Sequence, residues 1–326
     1  MTREEAVRRI ERAAEEKLRE LDLSGLELEE VPAEIAKCTQ LETLLLAECD
    51  EKKTNEGGTR FLKNKLTKFP DAVLQLTNLK TLNLSHNQIT CIPEDIGQLS
   101  NLTQLTLFGA HITQLPEALG QLSNLAGLNL QYNQISQLPE AFGKLSNLTE
   151  LNLSNNQITS VPEVIGKLSN LKKLKLSANQ ITSIPEAIGQ LSNLTQLVLI
   201  NNQITSIPEA IVQLSNLRAL WLSNNQITSI PDAIGQLSNI EVLNLRNNQI
   251  TSIPDAIGQL SNLRWLDLDN NQITSIPEAI GQLLNLEELY LSRNEITGKI
   301  PQAIRGMPKL TKLDLHDMRL PKNSRD

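Results

Sequence analysis

Aromatic residues are nearly missing from this chain: phenylalanine, tyrosine and tryptophan together make up 2% of its 326 residues. A core at 40% hydrophobic content must therefore be aliphatic. Basic excess is missing too, since net charge is −7 with pI near 5.2. Binding to nucleic acid draws on a surplus of Lys and Arg that displaces counterions, and the densest basic run, Lys172, Lys173 and Lys175, is too short for that. No apolar stretch is long enough for a signal peptide or a membrane span. Cysteine is limited to Cys38, Cys49 and Cys91, an odd and scattered set that fits a reducing cytoplasm better than a disulfide framework.

Groups that could carry chemistry are also sparse. The histidines His86, His111 and His316 lie many repeats apart or face different ways, and no His/Glu or Cys/His set has metal-ligand spacing. Gly143-Lys144 lacks the upstream glycine of a phosphate loop. Cys49-Asp50 has the elements of a nucleophile beside an acid, yet cysteine also replaces asparagine in this repeat pattern. These readings point to a non-enzymatic chain without cofactor or metal.

What the chain has in abundance is one stretch, Leu220–Pro231 (LWLSNNQITSIP), copied with small changes at Leu151–Pro162, Leu174–Pro185, Leu197–Pro208, Leu243–Pro254 and Leu266–Pro277. A self-repeat outranks local propensity in deciding the fold. Counted at the asparagine position, the register runs Leu26, Cys49, Asn87, Ala110, Asn133, Asn156, Asn179, Asn202, Asn225, Asn248, Asn271, Asn294 and Met318. That gives thirteen repeats, stepping by 23 residues from Asn87 to Asn294 and by 24 at the end, beside Gly298. In each unit a short strand such as Leu220-Trp221-Leu222 sends its leucines inward and the intervening residue outward. The asparagine then turns the chain, and its buried amide needs backbone partners on adjacent turns. The return segment Ile230–Asn239 starts with proline and an acid and is stopped by glycine, which predicts one helical or 3₁₀ turn.

Three features interrupt the repeat. Residues 1–18 read as an amphipathic helix (Arg3–Leu18), with Thr2 and Glu5 at capping-box spacing and an apolar stripe of Ala6, Val7, Ile10, Ala13, Ala14 and Leu18. A solenoid needs its end leucines covered, so the stripe is read as a lid. A 15-residue insertion near 47–61, with Asp50-Glu51-Lys52-Lys53 and Gly57-Gly58, reads as a solvated loop. Ala110 interrupts the asparagine column, where a water or a looser turn is expected.

The spacing L-x-x-L-x-L-x-x-N-x-I-x-x-I-P resembles the leucine-rich repeat, and the unit that recurs every 23 residues, as seen in Asn225–Leu245, is similar to the intracellular repeats of Ras-group proteins and their bacterial relatives. The resemblance implies an α/β solenoid, a horseshoe over residues 19–320 with parallel strands on the concave face and short turns on the convex face, followed by a tail at 321–326. The lead-in Ala6–Ile35 (AVRRIERAAEEKLRELDLSGLELEEVPAEI), with Leu41–Leu46 and the charged insertion, resembles the start of bacterial Roco proteins. That implies a regulatory array working with a GTPase domain in the same or a partner chain. The sequence stops at Asp326 without a GTP-binding motif, so the expectation is either an excised array or a relative lacking that domain.

Outward strand positions are free of the repeat's own demands, so their content is informative. Five of the eight aromatics fall there: Phe108, Tyr132, Trp221, Trp265 and Tyr290. Val198 adjoins Trp221 in one row with Ile200 in the next, Val242 and Trp265 share another row, and Tyr290 extends the Trp221 row. Arg218, Arg246, Arg264, Glu241, Asp267, Asp269, Glu287 and Glu288 surround them as a charged rim. An aromatic centre with a polar rim has the make-up of a protein-binding site. Phe108 and Tyr132 form a smaller second patch. The expected partner is a protein, with no membrane or nucleic-acid role. A free-standing bacterial effector or surface array acting on a host protein, and a structural spacer, stay open beside this reading.

Overall fold

The computed structural model describes residues 2–50, 60–297 and 299–317. Met318, Gly298 and the 321–326 tail lie outside them. The chain divides into two compact units, Met1–Gln157 and Ile158–Asp326.

In the first unit, three-residue strands Glu20–Asp22, Thr43–Leu45, Thr81–Asn83, Gln104–Thr106, Gly127–Asn129 and Glu150–Asn152 pair in sequence order, all parallel. In the second, strands Lys173–Lys175, Gln196–Val198, Ala219–Trp221, Val242–Asn244, Trp265–Asp267, Glu288–Tyr290 and Lys312–Asp314 do the same. Register is set by the central leucines, which face one another from strand to strand and are buried in all but the last of these strands, where Leu313 is 40% exposed. Alternation then sends the flanking residues to the opposite face. The expected α/β solenoid is what the chain forms.

Eleven return segments are five-residue 3₁₀ turns among the described residues, from Ala33–Lys37 to Glu278–Gln282. Each is preceded by a proline, which removes one backbone donor at the turn's start, and each carries an acid in its first turn. The last return segment is a short α-helix, Gln302–Arg305. Glycine does not stop these turns, contrary to the sequence reading. Gly258 sits fourth of five in Asp255–Gln259, and a Cβ there would lie 2.5 Å from the Ala279 carbonyl oxygen of the next turn. Its role is close packing between turns.

The asparagine column bonds as expected. Asn225 Oδ1 accepts the Ile204 N–H (3.0 Å), while Nδ2 donates to the carbonyls of Leu199 and Leu222 (3.0 Å each). Asn64, not Cys49, holds this place in the second repeat: its Oδ1 accepts the Leu28 N–H and its Nδ2 donates to Leu23 and Leu46 carbonyls, all at 2.9 Å. Cys49 lies instead on a two-stranded antiparallel hairpin, Ala47–Asp50 with Arg60–Lys63. The insertion therefore begins and ends as a hairpin rather than a loop, and its middle, 51–59, lies outside the described residues. At Ala110 no loosening is seen. Ala110 is fully buried, its N–H donates to Asn133 Oδ1 (3.2 Å), and Gly109 (φ 64°) and His111 (φ 62°) both turn left-handed around it. The first repeat, with Leu26 in the asparagine place, does the same with Gly25 (φ 69°) and Glu27 (φ 53°). Left-handed residues thus flank both of these positions, which lack the asparagine.

The N-terminal helix spans Thr2–Glu15, shorter than expected, and buries Ala6, Ile10 and Ala13 against the first repeat. Cys38 Sγ donates to Ile10 O (3.4 Å), and Gln40 Nε2 donates to the carbonyls of Ala13 (3.0 Å) and Leu18 (3.1 Å). The helix is a lid, as read. Glu5 takes no part in a capping box; its carboxylate accepts from Arg9 Nε at 2.8 Å and pairs with Arg8. Triplets resembling glycosylation acceptors are structural, since Asn101 Nδ2 donates to Thr77 O (2.9 Å) and Asn147 Nδ2 to Ser123 O (2.8 Å).

Candidate functional site

The second unit presents an aromatic run on the strand face opposite its turns. Trp221 and Trp265 have ring centroids 5.3 Å apart, tilted by 39°, and Tyr290 meets Trp265 edge-on at 5.9 Å. Pairing explains the contact: Val198 opposes Trp221, Val242 opposes Trp265, and Trp221, Asn244, Asp267 and Tyr290 follow one another in a single row. Val198, Ile200, Val242 and the three aromatics are all half-buried, so the run is a shallow apolar floor rather than a closed pocket. Trp221 Nε1 is buried without a hydrogen-bond partner among the described residues, a donor left open at a cost of about 1–3 kcal/mol.

Charges around this floor divide into two kinds. Arg218 pairs with Glu241 (2.9 Å) and Arg264 with Glu287 (2.8 Å), an alternating ladder along one strand edge. These exposed bases are already occupied by neighbours in the same row. Asp267 and Asp269, read from sequence as rim, are 5% and 7% exposed and belong to the floor. Asp267 Oδ1 accepts the Asp269 N–H (3.0 Å), the bond that Asn244 makes to Arg246 N–H (3.0 Å) one repeat earlier. Arg246 lies 3.7 Å from Asp269. Burial, with Asp269 and Asp314 close by, pushes the Asp267 carboxyl up to about 6. Burial raises Asp269 also. At the far end, Lys312 Nζ sits 4.7 Å from the Tyr290 ring centre, and the Tyr290 hydroxyl donates to Glu288.

Sequence comparison bears on what this face belongs to. Profiles of the family described as leucine rich repeat match residues 63–112, 169–227, 215–273 and 267–320, and a leucine-rich repeat region matches 101–180. The chain is a leucine-rich repeat protein. A comparison with curated proteins found no match. Among solved structures it is similar to a leucine-rich repeat protein of Leptospira interrogans, at 32% identity over 95% of this chain and 87% of that one, with TM-score 0.74. An internalin of Listeria monocytogenes is similar at 26% identity, over 94% and 84% of the two chains, with TM-score 0.80. A plant peptide hormone receptor in complex with RGF2 shares 30% identity over 89% of this chain but 46% of its own length, with TM-score 0.76. Leucine-rich repeat proteins generally mediate protein–protein interaction.

The first unit of this leucine-rich repeat protein carries a smaller aromatic cluster. Phe108 and Tyr132 meet at 5.1 Å, as their proximity in the repeat suggests, and His86 adds a third ring 4.7 Å from Phe108. His86, absent from the patch read in the sequence, shares its column with Tyr132, and both are left-handed turn residues (φ 53° and 57°); Tyr132 therefore lies past the strand Gly127–Asn129 and not at the outward strand position expected. Tyr132 is 52% exposed. Among the described residues no group of three or more His, Cys, Asp or Glu is placed to hold a metal ion, and no helix is long and apolar enough to cross a membrane.

Proposed function

We propose that this chain binds a protein partner through the strand face of its second unit, with Trp221 and Trp265 as anchors. The carrying observation is the continuous ring contact of Trp221, Trp265 and Tyr290 in a protein otherwise almost devoid of aromatics. Rigid aromatic groups at the centre of a contact supply most of its free energy. Val198, Ile200 and Val242 widen the floor, Asp267 and Asp269 polarise it, and Arg218, Arg246 and Arg264 edge it. Phe108 and Tyr132 offer a secondary contact. The role is one of scaffolding, not catalysis, and the lead-in resemblance supports a regulatory array of a Roco-type GTPase protein in the cytoplasm. Two free thiols, Cys38 and Cys91, suit that compartment.

The test is capture from lysate with the intact chain and with a Trp221→Ser, Trp265→Ser variant of verified folding. A specific protein lost with the variant, at a cost of about 2 kcal/mol or more in measured affinity, is expected. Identical capture by both would sink the assignment. A second reading, a free-standing bacterial array acting on a host protein, has the likeness to Leptospira and Listeria repeat proteins in its favour. Labelling of intact cells by an impermeant reagent separates the two: the cytoplasmic reading requires that the chain stay unlabelled until lysis.

A further inference from the structure

On the strands of the last four repeats and the two residues that follow each, the floor holds four carboxylates (Asp267, Asp269, Glu288 and Asp314) against two permanent cations, Arg246 and Lys312. Arg246 lies against Asp269 and Lys312 against the Tyr290 ring. Asp267 is left 5% exposed with no ion pair among the described residues. Its place in the row is otherwise suited to an amide, as Asn244 shows by making the same backbone bond without a charge. A buried carboxylate kept where an asparagine would serve is costly unless something neutralises it. Trp265 stands two residues before it on the same strand and Tyr290 opposes it on the next, and Lys312 already shows that this floor accepts a cation over a ring.

We propose that the partner presents an arginine side chain to this floor, its guanidinium stacked on Trp265 and forked toward Asp267. The inference rests on the strand face being the binding surface. Arginine suits the arrangement better than lysine because one planar group can stack on an indole and bond a carboxylate edge-on at the same time. Charge complementarity, two carboxylates in excess, favours a basic segment over a neutral or acidic one.

The protein reports on this site directly, since its two tryptophans are both in it. The experiment titrates the full chain with a tetra-arginine peptide and with its tetra-citrulline counterpart, which keeps shape and loses charge, following tryptophan emission. Asp267→Asn is compared with Asp255→Asn, an identical charge change on an exposed return-segment residue. Saturable binding of the arginine peptide is expected, roughly tenfold weaker for the citrulline peptide and for Asp267→Asn, and within about twofold of wild type for Asp255→Asn. Asn at 267 matches its row neighbour, so the variant folds, and a melting curve verifies it. Absence of saturable binding, equal binding of the two peptides, or unaltered binding by Asp267→Asn overturns the inference. A lysate partner that depends on Trp221 and Trp265 but not on Asp267 would leave the binding face standing and remove the arginine alone.

Discussion

At Asn225 one carboxamide serves four backbone groups, accepting from Ile204 and donating to Leu199, Leu222 and, at 3.3 Å, Ser223. Asn225→Ala strips all four partners inside a buried turn, so a loss of about 1–3 kcal/mol in urea denaturation is expected. Ala110 shows how the fold tolerates such a gap, with left-handed residues on both sides; Asn225 has only Asn224 (φ 57°) in that conformation. An unchanged midpoint for Asn225→Ala would mean that the turn can adopt the Ala110 geometry unaided. Asp267 poses the opposite case, a residue that lowers stability where it stands. Its carboxyl titrates near 6 when folded against an ordinary value of 3.8, so the native state binds the proton more tightly than the unfolded chain. Stability linked to that proton is present below about pH 4 and is lost as pH rises through 6. Asp269, Asp314 and Arg246 face the same group and stay in both proteins. Asp267→Asn should therefore stabilise the fold at pH 7.5 by about 1–3 kcal/mol and by almost nothing at pH 4. A gain that does not depend on pH would count against burial as the cause.

The short strand, the proline-started turn and the capping helix were all legible in the sequence, because each follows from period and residue type. Prolines at Pro231 and Pro254 mark where the turns begin, and the stripe Ala6, Ile10, Ala13 marks the face of the helix that is covered. Elements that break the period were read less well. A 15-residue insertion displaced the second repeat's asparagine from the Cys49 position to Asn64; Asn64–Pro70 repeats the spacing of Asn87–Pro93 one step earlier, and the bonds to Leu23, Leu28 and Leu46 put Asn64 in the column. Its hairpin was hidden because charge and paired glycines suggested solvated coil. Gly258 looked like a stop signal, yet its crowding against Ala279 depends on a turn 23 residues away. Alternation alone put Trp221, Trp265 and Tyr290 on one strand face, but Phe108 and Tyr132 lie past the strands Gln104–Thr106 and Gly127–Asn129. The charges around that face were read less well: the side chains of Arg218 and Asp267 differ in burial for reasons set by their columns, one on the strand edge and one in the Asn244 row.

In a repeat array each turn is stabilised by its neighbours, so a lesion is felt locally before it spreads. The present molecule allows that to be observed, since both tryptophans lie in the second unit while the lid lies in the first. Ile10 is fully buried beneath the lid, and Ile10→Ser removes its apolar contacts at a cost of about 2–4 kcal/mol. Far-ultraviolet circular dichroism averages over every repeat; tryptophan emission follows Trp221 and Trp265 alone. Thermal unfolding of Ile10→Ser should show an early phase by dichroism with the emission midpoint unmoved. If both probes shift together, the thirteen repeats unfold as one cooperative block and a single stability describes the whole chain. If only dichroism shifts, the aromatic face of the second unit is energetically insulated from the N-terminal end of the chain. Variants of the lid would then alter the chain's lifetime without altering the surroundings of Trp221 and Trp265.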